Sequence, residues 1–357
     1  MFSFLRKTIR FFKETYFFSQ TVWRDNRDRK GQNADLRIAI NGFPGGFTSQ
    51  WFRDAIAERT QRQVEFSWYK PSLILTSLFG SCWLLKIILL TYKQPSVFFS
   101  GENIRTLKKY RDYRNYLNDL PTVALGFDYC EKSNYKRFPL WLLYIFPAAF
   151  VAKASIADIQ GRLDQIERQS FLPKQKFAAM IASHAGYFTS RKIDGNTPMV
   201  SRTIIAQQLQ KIQFVHCPGK LLHNDVSLKE EFADNKKKYL QQFHFNICSE
   251  NAASPGYVTE KLFESFEAGA IPVYWGDENP EPAILNHERI LFWSNNSDNT
   301  ETLDRIEKLY LSSTERQNFL TIPIFKQTAA RAIYGYFGIL NSNLIQLLPT
   351  ALQNGSK

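Results

Sequence analysis

The sequence predicts an α/β protein made of two doubly wound, Rossmann-like domains facing a cleft. Three observations carry that prediction. The chain has 357 residues, too many for one ordinary core and suited to two. Short apolar runs of strand length alternate with helical segments, as in parallel sheets covered by helices on both faces. The composition is 44% hydrophobic and 22% charged, with 30 phenylalanines, 16 tyrosines and 7 tryptophans. That much aromatic mass fills large cores and excludes a disordered chain.

The elements follow in order. Residues 1–35 form a basic, aromatic arm. Leu5, Ile9, Phe12 and Tyr16 share one helical stripe, and Arg6, Lys7, Arg10 and Lys13 cluster beside it. Such an arm suits an anionic membrane surface or packing on the protein body, and both readings stay open. Residues 36–172 make the N-terminal domain. "LRIAI" (36–40) reads as its first buried strand, "NGFPGGF" as a glycine-rich loop, and "TSQWFRDAIAERT" (48–60) as a helix capped by Thr48 or Ser49.

The apolar run at 73–92, "LILTSLFGSCWLLKIILLTY", has the length of a membrane span. Phe79, Gly80 and Ser81 split it, and Lys86 would sit near the bilayer centre. It is read as a buried strand (73–79), a turn and a core helix. "SVFFSG" (96–101) and "TVALGF" (122–127) are the next strands.

The stretch from 141 to 173 is mostly helical and crosses between domains. Residues 173–335 make the C-terminal domain. Its strands lie in "KFAAMIAS", "QFVHCPG", "HFNICSE" and "IPVYWG". Residues 336–357 form an amphipathic helical tail that returns to the first domain.

The charge balance is 45 Lys and Arg against 33 Asp and Glu, a formal +12. A basic chain suits nucleic acid, a membrane surface or a phosphorylated small molecule, or merely a solvated basic surface. The basic residues are scattered among the arm, "LKKYRDYR" and "NKKK", and no nucleic-acid recognition motif appears, so nucleic acid is not the expected partner. Cys82, Cys130, Cys217 and Cys248 form no C-x-x-C pair, which fits reduced thiols and argues against structural zinc. Arg6, Lys7, Arg10, Lys13 and Glu14 break the start of the chain, so no secretory signal is expected. Cytoplasmic placement is expected, a peripheral contact of the arm with the inner membrane face being one of its two open readings.

Residues 249–277 hold the densest chemistry: "SENAASPGYVTEKLFESFEAGAIPVYWGD". A strand ends near Ser249, a polar loop follows, and a helix starts near Val258, because Val258, Leu262, Phe266 and Ala270 recur every four residues. Gly269 weakens the helix near its end. Tyr257, Thr259, Glu260 and Lys261 thus sit at a helix N-terminus at the carboxyl end of a strand. Ligands in open α/β sheets bind there, and the first-turn amides favour an anion. A first-turn lysine opposes the helix dipole unless an anion lies nearby. The plain reading of Lys261 is a surface lysine without a task, and of Glu250 and Glu260 ordinary loop and helix-start carboxylates.

Residues 243–277, "FHFNICSENAASPGYVTEKLFESFEAGAIPVYWGD", resemble the signature of the family 10 α1,3/α1,4-fucosyltransferases: Glu-Asn, then Tyr-(Val/Ile)-Thr-Glu-Lys, a helix, and an Ile/Val-Pro-Val strand ending in Gly. "PSLILTSLFG", "VFFSGENIRT", "ALGFDY", "RFPLW", "KFAAMIAS", "SRTIIAQQL" and "VHCPGK" follow the family's segments in order, so the resemblance spans residues 36–336. Ser249 replaces an aromatic, His184 an asparagine and His216 an aspartate of the family pattern.

The resemblance implies a GT-B fold and inverting transfer of L-fucose from GDP-fucose to a hydroxyl of an oligosaccharide or lipid-linked glycan, α1,3 to GlcNAc or Glc, in surface glycan or lipopolysaccharide synthesis. Glu102, in "FSGEN", is then the base that deprotonates the acceptor; Gly101 would allow the tight turn that presents it. Its plain reading is a cap for the following helix. Arg202 matches the family's diphosphate-binding arginine by position, its plain reading being a surface helix residue. Lys261 and the amides near Tyr257 join it around the leaving group. Glu260 accepts from ribose or fucose hydroxyls, Asn251 contacts the donor sugar, Glu250 orders the loop or touches the sugar, and Tyr257 and Thr259 complete the donor site. No Asp-x-Asp motif is present, so a divalent metal is not expected to be essential, and no cofactor beyond the donor is required. A transferase using another GDP- or UDP-sugar and a basic nucleic-acid-binding protein are the alternatives.

Overall fold

A computed structural model describes residues 2–184, 201–295 and 298–349. The chain divides into two compact units: Met1–Ala154 with Gly335–Lys357, and Ser155–Tyr334.

The first unit carries β1 (Leu36–Asn41), β2 (Val64–Phe66), β3 (Leu73–Ser77), β4 (Ser96–Phe99), β5 (Val123–Gly126) and β6 (Tyr135–Arg137), with helices α1 (Phe2–Arg27), α2 (Phe47–Thr60) and α3 (Cys82–Thr91). Its sheet has the order β2-β1-β3-β4-β5-β6. All pairings are parallel. Every residue of β3, β4 and β5 is buried, because helices cover both faces of a parallel sheet and its strands read as continuous apolar runs. The run 73–92 resolves into β3, a turn and α3, with Ser81 capping α3 through Leu84 N. Among the described residues no helix is long and apolar enough to cross a membrane.

One local expectation is corrected here. Gly46 is the N-cap of α2, and no side chain caps it; Ser49 instead donates its hydroxyl to Gly46 O at 3.1 Å. The arm is a helix whose inner face, Phe11, Phe18 and Val22, packs on Ala39, Trp68, Ile74, Leu84 and Ile88. The tail rejoins this unit through Phe337 against Phe146 and Tyr336 against Trp141; residues 350–357 lie outside the described residues.

The second unit carries β7 (Lys176–Ala179), β8 (Val215–His216), β9 (Phe243–Ser249), β10 (Ile271–Trp275) and β11 (Leu291–Phe292). The sheet order is β11-β10-β9-β7-β8, again all parallel. In chain order this is the second strand beside the first, then the third, fourth and fifth on the other side. The chain therefore reverses its direction of winding between β7 and β9, and such a switch point opens a crevice at the strands' carboxyl ends.

The unit begins at Ser155. A Ser155–Asp158 capping box starts the helix Ile156–Gln169. Arg162 pairs with Glu267. Glu167 accepts from the amides of Ile324 at 2.6 Å and Phe325 at 3.0 Å. This helix is therefore built into the second sheet's packing, ahead of residue 173.

Gly269 has a more exacting task than weakening a helix. It follows the helix Glu260–Glu267 at φ +72°, and a Cβ there would meet Gln169 O at 2.0 Å and its carbonyl carbon at 2.4 Å. Both conformation and space demand glycine. Gly269→Ala is expected to lower stability by roughly 1–3 kcal/mol, read as a fall in the melting temperature. An unchanged melting temperature would show that the helix Ile156–Gln169 yields without cost.

Candidate functional site

The polar cluster sits at the carboxyl ends of β7 and β9, the switch point of the second sheet. β9 ends at Ser249 and the chain turns at once into Glu250, whose amide donates to Trp275 O at 2.8 Å at the end of β10. Glu250 is thereby drawn beneath the loop, and only 1% of it is exposed.

Its carboxylate is fully engaged with the start of the next helix. Oε1 accepts from Thr259 N at 2.7 Å and Oε2 from Thr259 Oγ1 at 2.6 Å. The helix starts at Glu260, two residues later than the four-residue apolar rhythm indicates, because Thr259 is extended and is the N-cap. Its hydroxyl serves Glu250, so Thr259 gives the helix no side-chain cap. The first-turn amides are left for other acceptors.

Lys261 lies in that first turn. Its ammonium donates to Thr259 Oγ1 at 2.8 Å, Glu260 Oε1 at 3.2 Å and Glu250 Oε2 at 3.4 Å. Burial works against the charge, but Glu260 and Glu250 outweigh it and hold the ammonium above the usual lysine range. Burial pushes the Glu250 carboxyl up, against the pull of Lys261. For Glu260, burial pushes the same way, and Lys261 overcomes it, leaving that carboxyl below its ordinary range. The lysine that opposes the helix dipole is thus offset by two carboxylates, one on its own helix and one at the end of β9.

Arg202, on the helix Ser201–Leu209, comes to the same place. It is 5% exposed. It donates to His184 O, Ser249 O and Asn251 Oδ1, each at 2.9 Å. These three acceptors hold the guanidinium in place. A small recess follows, lined by Arg202, Lys236, Asn246, Glu260, Lys261 and Glu264.

One hydrogen bond joins Arg202 to Asn251, others join Glu250, Thr259, Glu260 and Lys261, and Arg202, Glu260 and Lys261 line the same recess. Tyr257 is buried beside them, and its amide closes a turn onto Ser254 O at 3.0 Å. Sequence reasoning passed over Asp277. It is buried, and its Oδ2 accepts from Gly256 N at 2.8 Å, pinning the 250–259 loop to the end of β10. Its signal was its place directly after a strand ending in glycine.

Glu102 lies in the first unit, just past β4, and is half-buried. Ser100 donates its hydroxyl to Glu102 O at 2.9 Å. The cap of the following turn is Asn103, whose Oδ1 accepts from Arg105 N at 3.1 Å and Thr106 N at 3.0 Å. Gly101 is not in a left-handed turn; a Cβ there would stand 2.9 Å from Leu140 Cδ1, the end of a flexible side chain. Arg105 pairs with the buried Asp128 at 3.2 Å and fixes the segment's far end. Among the described residues no group of three or more His, Cys, Asp or Glu is placed to hold a metal ion.

Basic and acidic side chains thus converge at the switch point of a parallel sheet, where open α/β proteins bind their ligands. Residues 172–317 match the family model "Glycosyltransferase family 10 (fucosyltransferase) C-term". The chain is 26% identical over 274 residues to an α-(1,3)-fucosyltransferase of Helicobacter pylori, covering 71% of this chain and 54% of that protein. It is 30% identical over 212 residues to GDP-fucose protein O-fucosyltransferase 3 of Xenopus tropicalis, covering 54% and 44%. The chain thus spans about half the length of these curated relatives. The two-sheet fold matches a crystal structure of an α1,3-fucosyltransferase with GDP-fucose at a TM-score of 0.52 and 19% identity, over 90% of this chain and 93% of that one. The expected GT-B fold is the fold found.

Proposed function

We propose that this chain is an inverting glycosyltransferase that moves L-fucose from GDP-fucose to a glycan hydroxyl in α1,3 linkage. The observation that carries the reading is the Arg202–Lys261 cluster at the switch point, inside the segment that matches the family.

The donor's diphosphate gains negative charge as the sugar departs. Arg202 and Lys261, with the first-turn amides of the helix Glu260–Glu267, meet that charge without a metal ion. Glu250 acts by fixing Thr259 and Lys261. Glu260 accepts from ribose or fucose hydroxyls, and Asn251, already held by Arg202, contacts the donor sugar. Tyr257 and Thr259 shape the loop around it. Glu102 takes the proton of the incoming hydroxyl. The unit holding Glu102 is the acceptor domain and the unit holding Lys261 the donor domain. Surface glycan or lipopolysaccharide synthesis on the cytoplasmic face is the setting this reading assigns, with an oligosaccharide or lipid-linked glycan as acceptor.

A panel of GDP-fucose, GDP-mannose and UDP-sugars against N-acetyllactosamine-type acceptors, with and without chelator, tests this. Transfer from GDP-fucose alone is expected, insensitive to chelator, with the linkage read by NMR. Transfer from another donor, or activity restored only by a metal ion, would overturn the donor or the cation assignment respectively. Transfer to folded protein in place of glycan would move the acceptor toward that of the O-fucosyltransferase relative.

A further inference from the structure

The arm's outward face has a composition that its packing does not use. Phe11, Phe18 and Val22 of α1 turn inward. Leu5, Ile9, Phe12, Tyr16 and Trp23 are each more than half exposed. Their spacing of three, four and seven places them on one stripe of a helix with 3.6 residues per turn. Arg6, Lys13 and Arg24 each follow one of these by a single residue, which sets a basic stripe about 100° round the same helix. Arg10 donates to Phe79 O at 2.7 Å, and Glu14 accepts from Ser81 N, so the helix is fastened to the body from its inner side.

The apolar surface continues onto α3. Trp83, Ile87 and Leu90 are exposed there at helical spacing. Trp83 stands edge-on to Phe11 at 5.8 Å, and Phe11 edge-on to Phe12 at 5.4 Å. The two exposed faces are thus joined by a chain of aromatic rings. Apolar patches of this kind rimmed by one sign of charge mark interaction sites.

We propose that α1 and the exposed face of α3 dock this protein on an anionic lipid bilayer, with α1 lying in the plane of the interface. The basic stripe selects the partner: it complements a negatively charged headgroup layer, whereas an apolar protein partner would gain nothing from three flanking cations. Twenty-six residues of helix give a straight edge of about 39 Å. Tyr16 and Trp23 have the amphipathic rings that settle at headgroup depth. The inner face is already packed, so docking requires no new folding of the helix. The inference stands apart from the proposed transfer reaction, since it uses none of the residues of that site.

Cosedimentation of the full chain with vesicles tests it. At about 0.1 M salt, tenfold or greater enrichment is expected on phosphatidylglycerol-containing vesicles over pure phosphatidylcholine, with loss of most of that gain at high salt. Ile9→Asp with Phe12→Asp should abolish binding, and Arg6→Gln with Lys13→Gln should remove the lipid preference, each with an unchanged melting temperature. Equal binding to both vesicle types, or none, overturns the proposal. So does self-association in sedimentation equilibrium that the Ile9→Asp/Phe12→Asp variant dissolves without any vesicle binding by the native chain; the face would then be a contact between copies.

Discussion

Lys261→Ala is expected to weaken GDP-fucose binding by roughly 10- to 150-fold, the loss of one charge-assisted hydrogen bond worth about 1.5–3 kcal/mol. The ammonium is already positioned by Thr259, Glu260 and Glu250, so no reorganisation of the side chain is needed when the diphosphate arrives. The same substitution leaves the Glu250 carboxylate buried without its cation, and a loss of stability accompanies it. A paired variant separates the two effects. Lys261→Met with Glu250→Gln removes the ammonium and the more deeply buried of its two carboxylates, and is expected to recover part of the melting temperature without recovering affinity. Calorimetric titration with GDP reads the binding. A dissociation constant within twofold of the native value, in a folded variant, would take Lys261 out of the donor site.

Glu102→Gln is expected to leave GDP-fucose binding intact and lower turnover by about 10²–10⁴-fold, the range for loss of a positioned general base. The isosteric amide keeps the backbone arrangement in which Ser100 donates to Glu102 O. The Asn103 cap and the Arg105–Asp128 pair hold the segment by other atoms. A loss in turnover with unchanged donor affinity would therefore belong to the carboxylate itself. Turnover within tenfold of native would place the base on another residue.

Much of the fold was legible because the buried parallel strands are apolar and regular. Each of β1, β3, β4, β5, β7, β9 and β10 announces itself as a short apolar run before a polar loop or glycine. β2, β6 and β11 did not, since two or three residues are too few to display a period of two; β8 is as short but was marked by the Pro-Gly break that follows "QFVHC". The start of the helix at Glu260 was misplaced by two residues because Val258 and Leu262 continue the apolar rhythm across a cap. That cap is made by backbone conformation at Thr259, which side-chain type does not encode. The charged cluster was visible as composition and by resemblance. Its internal wiring was not: Glu250 and Thr259 stand nine residues apart, and Arg202 and Asn251 forty-nine. Those pairings exist only after β7 and β9 lie side by side. Asp277 went unread for the same reason, since its partner at Gly256 is fixed by tertiary structure.

The helix Ile156–Gln169 carries a consequence for how this protein can be divided. The family segment begins at residue 172, yet Glu167 supplies the acceptor for two amides near residue 325 and Arg162 the counter-ion of Glu267. A fragment cut at the border of sequence similarity would discard both, taking the acceptor from the amides of Ile324 and Phe325 and leaving Glu267 to Lys237. The natural seam for domain exchange between relatives lies upstream, at Ser155, where a capped helix begins.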